Sequence, residues 1–180
     1  MPPRALSPLR LHTQRCFASI TPDPTSASSL RDVARFGARV LSLDLQSSED
    51  LICRQLLCEH VGDACACRLA LALERVPMLQ RLDLSNNRLQ ALPDAVYKLQ
   101  RLEWLDVRQN NLMMLSTDVA NLTQLQTLDV RYNNLETLPM EQLETLEKLK
   151  VVRVTGNSDL IRTFESLKMS ERLKATFVLE

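Results

Sequence analysis

Four stretches of this 180-residue chain repeat one pattern at a nearly fixed step, and few backbones can accommodate it. "LQRLDLSNNRLQALP" begins at Leu79, "LEWLDVRQNNLMMLS" at Leu102, "LQTLDVRYNNLETLP" at Leu125 and "LKVVRVTGNSDLIRT" at Leu149, steps of 23, 23 and 24 residues. In the third copy the apolar side chains fall at Leu125, Leu128, Val130, Leu135 and Leu138, a spacing that fits neither a helix nor an uninterrupted strand. Leu128 and Val130 suit the inward positions of a short strand, with Leu125, Leu135 and Leu138 entering the same core from the turns on either side. One such unit cannot bury these side chains alone. Stacked copies would set the strands parallel and line the leucines up in columns. Asn87, Asn110, Asn133 and Asn157 recur where each strand bends toward the core. A buried carboxamide there has the donors and acceptor to satisfy main-chain groups that a bend leaves unpaired, each of which would otherwise cost on the order of 1–3 kcal/mol. The four asparagines therefore read as a structural ladder, not as an active site.

The frame L-x-x-L-x-L-x-x-N-x-L followed by L-P resembles the leucine-rich-repeat family. The copies from Leu79, Leu102 and Leu125 match it; in the fourth, Val152 and Val154 replace leucines and Leu160 sits one place late. A further frame, "VLSLDLQSS" from Val40, has Ser48 at the Asn position. Within "GDACACRLALALERVPMLQRLDLSNN", Gly62, Asp63, Ala66, Leu69, Ala70, Ala72 and Leu73 resemble the ribonuclease-inhibitor-like subtype, with Asp63 as an N-cap and Ala66, Leu69, Ala70 and Leu73 on one helical face. The resemblance implies an α/β solenoid, a short arc of about five parallel strands closed by helical caps. Ser29 and Asp32 make a capping-box-like start for a helix carrying Leu30, Val33 and Phe36 and ending near Gly37. Leu160, Ile161, Phe164 and Leu167, then Leu173 and Phe177, are available to close the other end. The expected organisation is a mitochondrial presequence at 1–17, a flexible linker at 18–28, an N-terminal cap helix at 29–39, repeats at 40–160 with a helical insertion at 49–61, and a C-terminal cap at 161–180.

The presequence expectation rests on an acid-free start containing Arg4, Arg10 and Arg15, with Leu9, Thr13, Cys16, Phe17 and Ile20 on one helical face. "RCFAS" fits the matrix-protease pattern of Arg, any residue, an aromatic and a small residue, and places a cut between Phe17 and Ala18. The competing reading is a disordered tail and a cytoplasmic protein. Lys and Arg balance Asp and Glu at 22 each, but three of the basic residues precede Ala18, so the remainder carries a net charge of about −3. That argues against a nucleic-acid binder, which needs a basic stripe. No apolar run approaches the roughly 18 residues of a membrane span. The chain is expected to be monomeric. Five cysteines, an odd number, read as reduced thiols rather than a disulfide framework.

Cys53, Cys58, His60, Cys65 and Cys67 offer thiolates and an imidazole within 15 residues, but their C-x4-C-x-H-x4-C-x-C spacing matches no zinc pattern, and small buried side chains is the preferred reading. No cofactor is expected. Catalysis has little to draw on: His12 lies in the presequence stretch, Cys58 and His60 lack a nameable orienting group, and three isolated glycines build no phosphate loop. The expectation is a non-enzyme. "NLT" at Asn121 matches a glycosylation acceptor but coincides with the repeat frame. Strand alternation assigns a partner-binding concave face to Arg81, Trp104, Asp106, Arg108, Asp129, Arg131 and Tyr132. In it Ser42, Arg81, Trp104, Thr127 and Val151 form one column, and Asp44, Asp83, Asp106, Asp129 and Arg153 the next, a solvated acidic row in the plainest reading. Trp104, the single tryptophan, stands mid-arc with arginines beside it, the residue types enriched in interface hot spots. The reading is a non-catalytic protein-binding module, as a mitochondrial assembly or scaffold factor, or alternatively a cytosolic adaptor or signalling regulator, with a metal- or redox-sensing protein the more remote alternative.

Overall fold

The protein's structure is a computed structural model that describes residues 23–53, 66–164 and 170–178. Its strands come in chain order: β1 (Ser26–Ala27), β2 (Ser42–Asp44), β3 (Arg81–Asp83), β4 (Trp104–Asp106), β5 (Thr127–Asp129), β6 (Val151–Arg153) and β7 (Phe177–Val178). They form a single parallel sheet in which each strand pairs with the next in sequence. Among the described residues five helices accompany the sheet: α1 (Leu30–Phe36) and α2 (Ala66–Leu73) near the start, α3 (Met140–Thr145) before β6, and α4 (Ser158–Phe164) and α5 (Glu171–Thr176) at the end. The sheet has seven strands rather than about five, because a two-residue strand is added at each edge beyond the repeats. β1 falls in the stretch expected to be a flexible linker; Ser26 and Ala27 instead pair with Ser42 and Leu43, and Ala27 is buried.

The register follows from the repeat. Leu43, Leu82, Leu105, Leu128 and Val152 stand side by side on successive strands, all buried. Two residues on, Leu45, Leu84, Val107, Val130 and Val154 make a second buried column. Leu125, Leu135 and Leu138 close the same core from the turns. Full burial of one such side chain contributes roughly 1.5–3 kcal/mol, so the columns are the main source of stability. Between strands a 23-residue step leaves room for little helix, and the returns are short 3-10 turns at Val96–Lys98 and Thr117–Asn121. The longer return before β3 accommodates α2, which buries Leu69, Ala72 and Leu73.

The N-terminal cap helix forms as the Ser29/Asp32 pair predicts. The Ser29 hydroxyl accepts the Asp32 N–H at 3.2 Å, and the Asp32 carboxylate accepts the Ser28 N–H at 3.3 Å. Gly37, at φ 55°, ends the helix in a conformation that disfavours a side chain. The insertion begins with a 3-10 turn, Glu49–Leu51, not an α-helix, and Asp50 in it caps the Leu30 N–H at 2.8 Å. At the other end α4 starts at Ser158, three residues before the expected cap boundary, and buries Leu160. α5 is held to α3 by Ser170, whose N–H donates to the Glu144 carboxylate at 2.7 Å, and by Arg172, which donates to the carbonyls of Glu144 and Leu146. The presequence stretch, Gly62 and Asp63, and Leu167 lie outside the described residues.

Candidate functional site

Strand alternation brings the predicted side chains to the open face of the sheet. On the first column the Arg81 guanidinium carbon lies over the Trp104 ring, 3.4 Å from its centroid, with Arg81 exposed and Trp104 half-buried. Thr127 and Val151, half-buried, continue the column beside Trp104. Two residues along, the aspartates depart from the expected solvated row. Asp106 and Asp129 are 2 % exposed and Asp83 is 8 %, while Asp44, at the start of the row, is exposed.

The reason is local. Each aspartate turns back to accept the N–H two residues ahead: Gln46 to Asp44 at 3.0 Å, Ser85 to Asp83 at 2.9 Å, Arg108 to Asp106 at 3.0 Å and Arg131 to Asp129 at 3.2 Å. This side-chain-to-main-chain bond stabilises the end of each strand and draws the carboxylate down onto the backbone. Its signal in the sequence is the aspartate's invariant place in four successive frames. Arginines then cover the carboxylates. Arg131 grips Asp129 with two nitrogens, at 3.0 and 2.8 Å; Arg108 approaches Asp106 at 3.5 Å, and Arg153 reaches Asp129 at 3.8 Å. The bond to Asp129 holds Arg131 even more firmly in its charged form. Asp106, in the middle of the row, is pushed up to about 6, chiefly by burial, with the charges of Asp129 and Asp83 adding to it. The outcome is a layered face, with anions beneath and guanidinium groups facing solvent.

Tyr132, next to Arg131, is 55 % exposed, and its ring lies against Gly156 of the following repeat. A Cβ at Gly156 would sit 2.4 Å from the ring, so the missing side chain is what seats the tyrosine. Tyr132 has φ 54°, and Ser47, Asn86, Gln109 and Gly156 share that left-handed backbone at the equivalent position of their repeats. The turn after each of β2 to β6 thus requires it, and an ordinary side chain there carries strain that its neighbours must hold in place.

What holds it is the asparagine that follows. Asn110 donates to the carbonyls of Leu84 in the preceding repeat and Val107 in its own, both at 2.9 Å, and accepts the Leu89 N–H at 2.9 Å. Asn133 donates to Val107 and Val130 and accepts from Leu112; Asn157 donates to Val130 and Val154 and accepts from Leu135. Asn87 donates to Leu45 and Leu84 and accepts from Ser48, whose own residue has no carboxamide to offer. Each carboxamide ties one bend to its neighbour. The amide nitrogen and oxygen of each are engaged by the backbone, so the row serves the scaffold.

Of the cysteine and histidine group, Cys53 is buried and Cys67 exposed; Cys58, His60 and Cys65 lie outside the described residues. Among the described residues no three His, Cys, Asp or Glu side chains converge on a metal-sized site. An open trough of about 940 Å³ runs beside the starts of the strands, with Gln80, Tyr97, Lys98, Arg101, Glu103 and Gln124 in its walls. The Tyr97 hydroxyl there accepts the Ser116 N–H at 3.3 Å, and burial raises its pKa, so it is no nucleophile at neutral pH. No helix among the described residues is long and apolar enough to cross a membrane.

A family profile described as leucine-rich repeat region matches residues 30–178. Among curated proteins no sequence match is found. Solved structures share the fold at low identity. A leucine-rich-repeat protein of Leptospira interrogans superposes with a TM-score of 0.51 at 22 % identity, over 72 % of this chain and 32 % of its own. InlP of Listeria monocytogenes gives 0.51 at 21 % identity, over 79 % and 33 %. Internalin C2 from the same organism gives 0.50 at 18 %, over 76 % and 66 %. The chain spans about a third of the length of the first two.

Proposed function

Since this chain belongs to the leucine-rich-repeat family, a general protein-interaction scaffold, we propose that it is a non-catalytic binding module whose protein partner docks on the open face of the sheet at Arg81, Trp104, Arg108, Arg131 and Tyr132. One observation carries the reading. An arginine stacked on the single tryptophan stands beside arginines clamped to buried carboxylates, so an aromatic and cationic surface is fixed before any partner arrives. Fixing long side chains in advance lowers the entropy lost on binding. Asp106 and Asp129 serve this site from below, orienting the arginines. The complementary partner segment offers an apolar anchor for Trp104 and carboxylates for the arginines.

The acid-free, arginine-bearing start and "RCFAS" support a further part of the proposal, that the module works in mitochondria as an assembly or scaffold factor after cleavage between Phe17 and Ala18. Two experiments test these parts separately. Proximity labelling in intact cells, with wild type beside a Trp104→Ala/Arg131→Ala variant, is expected to show a set of neighbours lost in the variant; an unchanged set contradicts the open-face site. N-terminal sequencing of protein recovered from cells is expected to begin at Ala18. An intact start together with diffuse cytosolic fluorescence of a fusion removes the mitochondrial part and favours a cytosolic adaptor.

A further inference from the structure

A second surface lies across the core from the open face of the sheet, where α1 and α2 pack side by side. The groove between them holds a recess of about 250 Å³. Leu30 and Ala34 of α1 line it on one side, Leu71 and Ala72 of α2 on the other. Leu71 is 66 % exposed, although its neighbours Leu69 and Leu73 are buried in the core. Arg68 and Arg75 bracket the recess. Arg68, Leu71 and Ala72 follow the i, i+3, i+4 rhythm of one stripe of α2, and Arg75 stands in the turn that ends the helix, so the apolar pair lies between the two arginines.

The charge around this groove is mostly cationic, with Glu74, next to Arg75 in the chain, an exposed acid beside it. Arg31 and Arg35 on α1 and Arg39 just after it are exposed, as are Arg68 and Arg75. None of the five is ion-paired to another described residue. On the N-terminal cap, Asp32 accepts from the Ser29 hydroxyl and Asp50 from the Leu30 N–H. This concentration of arginine sits in a body whose balance from Ala18 onward is slightly acidic. A flat cationic face would suit an anionic membrane. A recess between two helices, with an arginine at either end, suits a helix that inserts one side chain as a knob.

We propose that the α1–α2 groove is a second docking site, taken by an acidic amphipathic helix of a partner protein. One large apolar side chain fills the recess between Leu30, Ala34, Leu71 and Ala72. Carboxylates three or four residues to either side of it meet Arg68 on α2 and Arg75 in the turn that follows. The site is independent of the tryptophan face and would let the module hold two partners at once.

A fluorescein-labelled helical peptide with a central Leu and Glu three and four residues to either side provides the probe, titrated with the full-length protein by anisotropy. Saturable binding is expected, weakened at least about tenfold by Arg68→Glu/Arg75→Glu and unaffected by Trp104→Ala. A peptide with Lys in place of Glu is expected not to bind. The variants' melting curves should match wild type, because the altered side chains are exposed. Absence of saturable binding, or equal binding by the charge-reversed variant, overturns the proposal. So does arginine-dependent capture on phosphatidylcholine vesicles containing phosphatidylserine without capture of the peptide, which would make the groove a membrane contact.

Discussion

Asp106 shows how far one side chain's role depends on its neighbours. It is buried between Asp83 and Asp129 on adjacent strands, and its carboxyl is held near 6 instead of the ordinary 3.8. The folded chain therefore takes up a proton at a pH where the unfolded chain does not. Above pH 6 the buried charge weakens the fold; as pH falls through 6 that penalty is relieved, and the relief is complete below about 4. Asp106→Asn keeps an acceptor for the Arg108 N–H and removes the charge. At pH 7.5 the variant is expected to be at least as stable as wild type. Between pH 7.5 and 5, wild type should gain stability relative to the variant by on the order of 1–3 kcal/mol. Paired thermal melts at the two pH values check this, and parallel pH profiles would contradict it.

The elements were legible in the sequence to different depths. Strand positions and register followed from the step between repeats, because a stacked parallel sheet leaves each leucine only one place. The aspartate row is buried where alternation suggests exposure: alternation gives the side of the sheet, but not that the carboxylate folds back onto the N–H two residues ahead. β1 and β7 are illegible in the sequence for a different reason. Two-residue edge strands carry no period of their own and form because β2 and β6 offer unpaired edges. Cation stacking of Arg81 on Trp104 was equally unreadable, since it depends on rotamers across two strands. The asparagine position, by contrast, was read from the bend it occupies, and it makes a prediction. Asn133→Ala would leave the carbonyls of Val107 and Val130 and the Leu112 N–H without their partner, at a cost of at least about 2 kcal/mol. Chemical denaturation measures it. A loss below about 0.5 kcal/mol would mean that water or a rearranged turn replaces the carboxamide.

For the whole molecule, a stack of repeats is stable only if its ends are closed. α5 and β7 perform this at the C-terminus, where β7 pairs with β6 and Leu173 is buried. Removing residues 170–180 should lower the melting temperature and promote association, because the edge of β6 and the apolar surface beneath it become exposed. Size-exclusion chromatography with light scattering would show it; a monomer that melts like the full chain would not fit a capping role. The same architecture separates scaffold from surface. Leu128 lies in the buried column and Trp104 on the open face, one strand apart. Leu128→Ala should destabilise by roughly 2–5 kcal/mol through the cavity it leaves. Trp104→Ala forfeits the stacking with Arg81, about 0.5–1 kcal/mol at an exposed site, and should leave the core intact. The most direct test is therefore the affinity of Trp104→Ala for the partner recovered by proximity labelling, measured by titration calorimetry beside its melting curve. A loss of at least ~2 kcal/mol in binding, about 30-fold, with a near-native melt is the expected result; undiminished affinity, or a melt as depressed as that of Leu128→Ala, would contradict binding through the open face of the sheet.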